Sequence, residues 1–262
     1  MATQDIWFAD GASYERIMGT WSRLVGGVFL AWLEPQQRQR WIDVGCGNGA
    51  FTELLVERCA PMEVQGIDPS EEQLAFARTR PAARLAGFQQ GNAMALPFPE
   101  EGFDAAVMAL VIFYAPEPAK AVAELSRVVR RGGTVATYIW DTEGGGSPTY
   151  PVLAEMRSAG LTHPIPPSLA ASRKDVLLDL WTGAGLQAIK AREIVVQRTY
   201  PDFDDFWTTT LLQPNVGPAV AALPSHDAEQ LRVRVKSRLA PGLDGSITCT
   251  ARANAIMGYK PT

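Results

Sequence analysis

WIDVGCGNGAFTELL, residues 41–55, decides how this chain is read: an apolar strand runs into the alternating glycines Gly45, Gly47 and Gly49 and then into a helix. Glycine permits the tight turn and lets the backbone approach whatever lies above it. Free N–H groups at the start of a helix offer donors to a ligand's polar groups. A small ligand is therefore expected against this loop. A plain turn between strand and helix is the competing explanation, but it needs neither spaced glycines nor the carboxylates that flank them.

Downstream, the next strand ends in GIDPS, residues 66–70, and places Asp68 nineteen positions beyond Gly49. A carboxylate there can accept both hydroxyls of a ribose, so an adenosine-type ligand is expected beside Asp68, Pro69 and Ser70. GCGNGA also satisfies the G-x-G-x-x-G/A fingerprint of dinucleotide-binding folds. Asp43 discriminates between the two ligands. A carboxylate just before the glycines would repel a pyrophosphate, but it could receive an α-ammonium such as that of S-adenosylmethionine. In GNAMALPFPEEGFDAAVM, residues 91–108, Asn92 could hydrogen-bond an exocyclic amine or serve as an ordinary turn residue.

Around these motifs, residues 40–140 alternate short apolar runs with stretches of helical period, the pattern of repeated βα units and a mostly parallel sheet. Strands are expected at 41–44, 64–67, 87–90, 105–112 and 134–140. AAVMALVIF, residues 105–113, lacks period-two alternation, as a strand covered on both faces should. In PAKAVAELSRVVRR, residues 118–131, an apolar stripe of Ala121, Leu125, Val128 and Val129 predicts a helix that stops at Gly132-Gly133. Beyond Trp140 the texture changes. DTEGGGSPTYP, residues 141–151, suits a hinge, and helices are expected at 153–160 and 174–182 on either side of the proline-rich HPIPP. A strand at 191–200, helices at 203–212 and 229–239 and a strand at 247–260 complete the chain. The division expected is one domain over 1–262. Cap helices span 1–39, a cofactor-binding core 40–140, lid insertions 141–190 and 201–244, and final strands 191–200 and 245–260.

The motifs at 43–49, 67–70, 91–104 and 125–133 (LSRVVRRGG), in this order and spacing, resemble those of class I S-adenosylmethionine-dependent methyltransferases. The similarity covers residues 40–140 and is greatest to the methyltransferase type 11 branch that contains the ubiquinone and menaquinone C-methyltransferases. It implies an α/β fold: a Rossmann-like doubly wound sheet of seven strands, order 3-2-1-4-5-7-6 with strand seven antiparallel, under helical lid insertions. It also implies S-adenosyl-L-methionine as cofactor, released as S-adenosyl-L-homocysteine, and a small-molecule methyl acceptor. Cofactor-binding roles carry over to Asp43, Gly45, Gly47, Gly49, Asp68, Pro69, Ser70, Asn92 and Ala93, with Ala109 and Leu110 passing under the sulfonium. YERIMGTWSRL, residues 14–24, resembles the helix that covers the cofactor, bringing Tyr14 and Trp21 toward the methionine end, although both also suit a core. Many relatives carry Asp at the position of Asn92 and His near Tyr114, so the identity of the acceptor does not transfer.

Composition narrows the function further. With 262 residues, 47% hydrophobic and 20% charged, the chain is an ordinary globular one, and its net charge of -4 supplies no field that gathers phosphates. Nucleic acid is not an expected partner. The basic run Arg232, Arg234, Lys236 and Arg238 reads as a solvated helix face. Cys46, Cys59 and Cys249 are too scattered for a disulfide framework or a zinc site, and MATQDIWFAD is no secretory signal, so a cytoplasmic setting is expected. The apolar stretches 24–33 and 105–115 fall short of the roughly 20 residues that span a bilayer. Methyl transfer from a sulfonium needs mainly alignment and exclusion of water. His163, His226 and Asp141 are candidate bases for a hydroxyl or amine acceptor, and none is assigned. Trp140, Tyr150, Trp181, Phe203, Phe206 and Trp207 suggest a small, partly apolar acceptor or a packed core. The competing functions are a cofactor-binding regulator without turnover and then an NAD-dependent oxidoreductase.

Overall fold

A computed structural model describes residues 15–262, the side chain of Arg16 excepted. Strands β1 (Arg40–Val44), β2 (Glu63–Asp68), β3 (Ala86–Gln90), β4 (Phe103–Ala109) and β5 (Val129–Trp140) run parallel, while β7 (Ile247–Tyr259) lies antiparallel between β5 and β6 (Gln187–Tyr200). The described residues thus build a seven-stranded sheet in the order β3-β2-β1-β4-β5-β7-β6, the order and strand direction that the motifs imply. Helices α1 (Thr20–Leu33), α2 (Ala50–Cys59), α3 (Glu71–Ala77), α4 (Pro118–Val128), α5 (Tyr150–Ser158), α6 (Lys174–Gly183), α7 (Phe203–Leu211), α8 (Gly217–Ala221) and α9 (Ser225–Arg238) join the strands.

Side chains alternate across β5 and show how the sheet is covered. On one face, Tyr138 meets Phe29 of α1 at 4.7 Å and Phe51 of α2 at 5.6 Å between ring centroids, and Trp140 meets Trp21 of α1 edge-on at 6.2 Å. The other face carries Val135, whose register partner Gly258 lies against the Trp181 ring of α6, and the indole N–H of Trp181 donates to the Val135 carbonyl over 3.0 Å. Such rings bury about 150–250 Å² each and supply much of the apolar drive for closing the sandwich. β4 is buried nearly throughout, which accounts for its apolar run from Ala105 to Ala109.

Three local differences from the sequence reading have physical causes. The helix over residues 118–131 ends at Val128, and Val129 opens β5, so Gly132-Gly133 lie inside a long strand rather than at a helix stop; Gly132, at φ +69, donates to the Lys260 carbonyl. The strand expected to reach Ile112 ends at Ala109, because Leu110 adopts φ +63 and the chain turns into a 3-10 turn at Ile112–Tyr114. Within 141–190, expected to be lid, α6 instead packs against β6, β7 and α4, with Trp181 fully buried: it is a sheet-covering crossover helix.

Because β6 and β5 are both antiparallel to β7, they share a direction, and β6 ends at Tyr200 on the same edge where β1, β2, β4 and β5 end. The 201–244 insertion, α7 to α9, therefore rises from the carboxyl edge of the sheet, where open α/β sheets bind ligands.

Candidate active site

The glycine loop between β1 and α2 is stitched to β2. The Gly45 and Cys46 N–H groups both donate to the Ile67 carbonyl, at 2.7 and 3.0 Å, the Gly47 N–H donates to Asp68 Oδ2 at 2.8 Å, and the Gly49 N–H to the Cys46 carbonyl at 2.9 Å. The Ala50 N–H finds Asn48 Oδ1 at 3.2 Å. The N–H groups of Gly45, Cys46, Gly47, Gly49 and Ala50 are thus engaged within the chain, and a loop with these donors occupied is poorly suited to cradle a pyrophosphate.

All three glycines adopt positive φ, +77 at Gly45, +51 at Gly47 and +78 at Gly49, but for different reasons. A Cβ at Gly45 would collide with the Val111 side chain, whereas a Cβ at Gly47 would meet no atom within 4 Å. Gly45 is therefore required by packing, and Gly47 faces open space above the loop.

The two carboxylates differ in kind. Asp68, at the end of β2, is nearly buried and accepts one backbone N–H on each oxygen, Gly47 on Oδ2 and Ser70 on Oδ1 at 2.9 Å, leaving further lone pairs for donors from above. Burial raises its pKa, while those two N–H groups pull it down. Asp43 is completely buried beneath the loop; its Oδ2 accepts the Thr52 hydroxyl at 2.6 Å, and its Oδ1 has no hydrogen-bond partner. Burial pushes its carboxyl up to about 7 against the Thr52 bond, and the nearby Asp68 charge adds to the rise. The same burial, with Asp43 and Asp68 close by, holds the Cys46 thiol well above its ordinary value.

Around this centre, Ser70 caps α3 by accepting the Gln73 N–H, next to the exposed Pro69. Asn92 Oδ1 accepts the Met94 N–H at 2.9 Å, so its side-chain oxygen closes a turn, with the half-buried Ala93 inside it. Ala109 ends β4 half-buried, and the strained Leu110 donates its N–H to the Tyr138 carbonyl at 2.8 Å. A non-glycine residue held at positive φ beside a site is stored strain of the kind found near functional centres. Tyr14 lies outside the described residues. Trp21 points into the core: it is 1% exposed and donates to the Tyr200 hydroxyl at 3.2 Å.

A family model described as a methyltransferase domain matches residues 42–137. That stretch is thus similar to methyltransferase domains, and it runs from β1 into β5 of the sheet. Over 105 residues the chain is 39% identical to 2-methyl-6-phytyl-1,4-hydroquinone methyltransferase 2 of Oryza sativa subsp. japonica, covering 38% of this chain and 30% of that protein. Over 103 residues it is 39% identical to a phosphatidylethanolamine N-methyltransferase of Cereibacter sphaeroides, covering 37% of this chain and 48% of that one. The matches thus span less than half the length of these two curated relatives. Among solved structures, the YcgJ protein of Bacillus subtilis superposes with a TM-score of 0.62 at 17% identity, over 91% of this chain and 98% of that one. Haemonchus contortus phosphoethanolamine N-methyltransferase 2, solved with S-adenosylhomocysteine, gives 0.59 at 18% identity, over 96% of this chain and 57% of that one. The [4+2]-cyclase SpnF gives 0.55 at 19% identity, over 100% and 88%.

Each of the candidate bases is engaged within the chain. Asp141 is gripped by Arg252, whose Nε and Nη2 lie 3.0 and 2.5 Å from Oδ2. His163 Nδ1 contacts the Pro164 carbonyl at 2.9 Å, and His226, exposed on α9, contacts Gln230 at 2.8 Å. The basic run is only partly a solvated face, since Arg234 and Arg238 both bind the buried Glu155 of α5 and fasten α9 to it. Two features escaped sequence reading. Thr52 steadies Asp43, and Arg80 joins the Asn48 carbonyl at 2.6 Å, Glu53 at 2.8 Å and Glu15 across the glycine loop. An Arg after a short helix carries no pattern that would announce this junction. Among the described residues, no group of His, Cys, Asp and Glu is placed to hold a metal, and no helix is long and apolar enough to cross a membrane.

Proposed function

We propose that this chain transfers a methyl group from S-adenosyl-L-methionine to a small-molecule acceptor. The observation that carries the reading is the pairing of an open glycine surface at Gly47 with two carboxylates of different exposure, Asp68 at the loop's edge and Asp43 beneath it. Asp68 has lone pairs for the ribose hydroxyls. The unpartnered Oδ1 of Asp43 fits a cationic amino group and not a pyrophosphate. Under this reading, Gly45, Gly47 and Gly49 shape the cofactor surface, and Pro69 and Ser70 follow Asp68 along the ribose side. Asn92 and Ala93 border the adenine, and Ala109 and Leu110 border the sulfur.

When bound, the cofactor supplies an activated methyl on a sulfonium. The chain's own work is to orient and to exclude water. Asp68 fixes the ribose through a carboxylate held rigid by Gly47 and Ser70. Asp43, once ionised above about pH 7, supplies negative charge from below without solvent to screen it. The 201–244 insertion, at the edge where β5 and β6 end, covers the acceptor side and keeps water out. With Asp141 engaged by Arg252, an acceptor that is already nucleophilic, or that loses its proton to solvent, suits this site.

The named relatives act on a prenylated hydroquinone and on phosphatidylethanolamine, which supports a small acceptor with an apolar part. The net charge of -4 argues against nucleic acid, and the scattered cysteines suit a cytoplasmic setting. Since a fold hosts more than one chemistry, and SpnF is a cyclase on this one, the test is turnover. Incubation with S-adenosyl-L-methionine carrying a labelled methyl, and a panel of phenols, hydroquinones and amines, should label at least one acceptor, with the label lost in Asp68→Ala. Binding of the cofactor with no transfer across the panel would favour a non-catalytic regulator.

A further inference from the structure

Of the six aromatics read in the lid segments, Trp140, Trp181, Phe203 and Phe206 are packed into the core, and Tyr150 is partly exposed; Trp207 lines a cavity. That cavity, about 940 Å³, lies between α7, α8 and α9 and is walled by Trp207, Leu211, Val220, Leu223 and Ala228. Glu229 and Arg232 are the ionisable side chains in its lining. They pair with each other at 3.1 Å and cancel within the lining, and Arg232 is held from outside it by Asp204 at 2.6 Å, so the cavity offers no unpaired cation to an anionic ligand. Small-molecule sites occupy roughly 300–1,000 Å³ and are mostly apolar. A protein partner would instead need about 800 Å² of surface on each side.

Its position links it to the cofactor loop. Gln213, in the cavity lining, donates to Met18 Sδ at 3.4 Å on the π-helical turn Glu15–Gly19, and Glu15 of that turn binds Arg80 and Asn48 at the glycine loop. One turn of chain therefore touches both sites.

We propose that this cavity holds the hydrocarbon body of an amphiphilic small molecule, which is the methyl acceptor if the methyltransferase reading holds. The polar, methyl-accepting end would lie toward the carboxyl edge of the sheet, and the apolar end would lie among α7, α8 and α9. The probe is a series of 4-alkylphenols from methyl to decyl, titrated calorimetrically below their micelle concentrations. Affinity should rise about three- to four-fold per methylene until the cavity is full. Ala228→Phe, and separately Val220→Phe, fill the cavity. Each should flatten that dependence and weaken decylphenol binding at least ten-fold, while S-adenosyl-L-methionine affinity and circular dichroism stay unchanged. An affinity that does not depend on chain length in the native protein, or a dependence unchanged in both filled variants, overturns the assignment. Chain-length-dependent binding abolished by filling, in a protein that binds no S-adenosyl-L-methionine, upholds the cavity and defeats the methyltransferase reading. Cofactor binding without chain-length dependence does the reverse.

Discussion

Replacing Asp43 with Asn should stabilise the protein while weakening its cofactor site. A carboxyl that titrates at about 7 in the fold and at 3.8 in the unfolded chain binds its proton more tightly when folded, so its contribution is fully present at acid pH. That contribution falls as pH rises from 3.8 to about 7 and is level above. At 1.4 kcal/mol per pH unit, the ionised carboxylate costs the folded state about 4 kcal/mol at pH 8.5. Asn keeps an oxygen to accept from Thr52, but it places an amide where Oδ1 has no partner, at a cost of about 1–3 kcal/mol. The net gain expected at pH 8.5 is about 1–3 kcal/mol, or several degrees in Tm for a chain of this size. At pH 5.5 the advantage should shrink by about 2 kcal/mol, because there the native carboxyl is mostly protonated. Urea denaturation of both proteins without cofactor, at the two pH values, measures this directly. A stability difference independent of pH, or one that grows toward acid, refutes the assignment of the raised pKa to buried Asp43. In the same reasoning, the native protein's affinity for S-adenosyl-L-methionine should rise between pH 6 and 8, and Asp43→Asn should abolish that rise.

Gly45→Ala should destabilise the fold by about 2–5 kcal/mol, since it combines positive φ with a clash against Val111. Gly47→Ala should cost only about 1 kcal/mol of strain, since no atom lies within 4 Å, and should lower cofactor affinity more than stability; thermal melts and titrations separate the two. Glu155→Ala frees Arg234 and Arg238 and should cost about 1–2 kcal/mol, with faster amide exchange in α9 but not in the sheet. Arg80→Ala disconnects Glu15, Glu53 and Asn48 and should raise amide exchange across residues 45–50 and increase KM for the cofactor more than it lowers kcat.

What the sequence made legible was periodicity and its interruption. The apolar run from Ala105 announced a covered strand, and the glycine loop with Asp68 announced the carboxyl edge, because strand ends and turns are local events that residue types specify. The seven-strand order and the antiparallel β7 rested on resemblance, since no local pattern encodes which strands become neighbours. What the sequence left open or misplaced was long-range. Trp181, which suited either a lid or a core, is core because it is held by Val135, 46 residues away, and the Gly132-Gly133 pair sits in a strand because Lys260 bonds back to it. Only the fold reveals that the Gly45, Cys46 and Gly47 N–H groups of the loop are taken by Ile67 and Asp68. Leu110, at φ +63, is likewise invisible in sequence: a leucine gives no warning of a left-handed backbone, which tertiary packing imposes.

The central claim is that this loop and its carboxylates select S-adenosyl-L-methionine over a dinucleotide, and calorimetric titration with S-adenosyl-L-methionine, S-adenosyl-L-homocysteine and NAD tests it most directly. Micromolar binding of the first two, weakened at least a hundred-fold in Asp68→Ala, with no binding of NAD, is the predicted result. Binding of NAD in preference to both, or unaltered affinity in Asp68→Ala, would contradict the account.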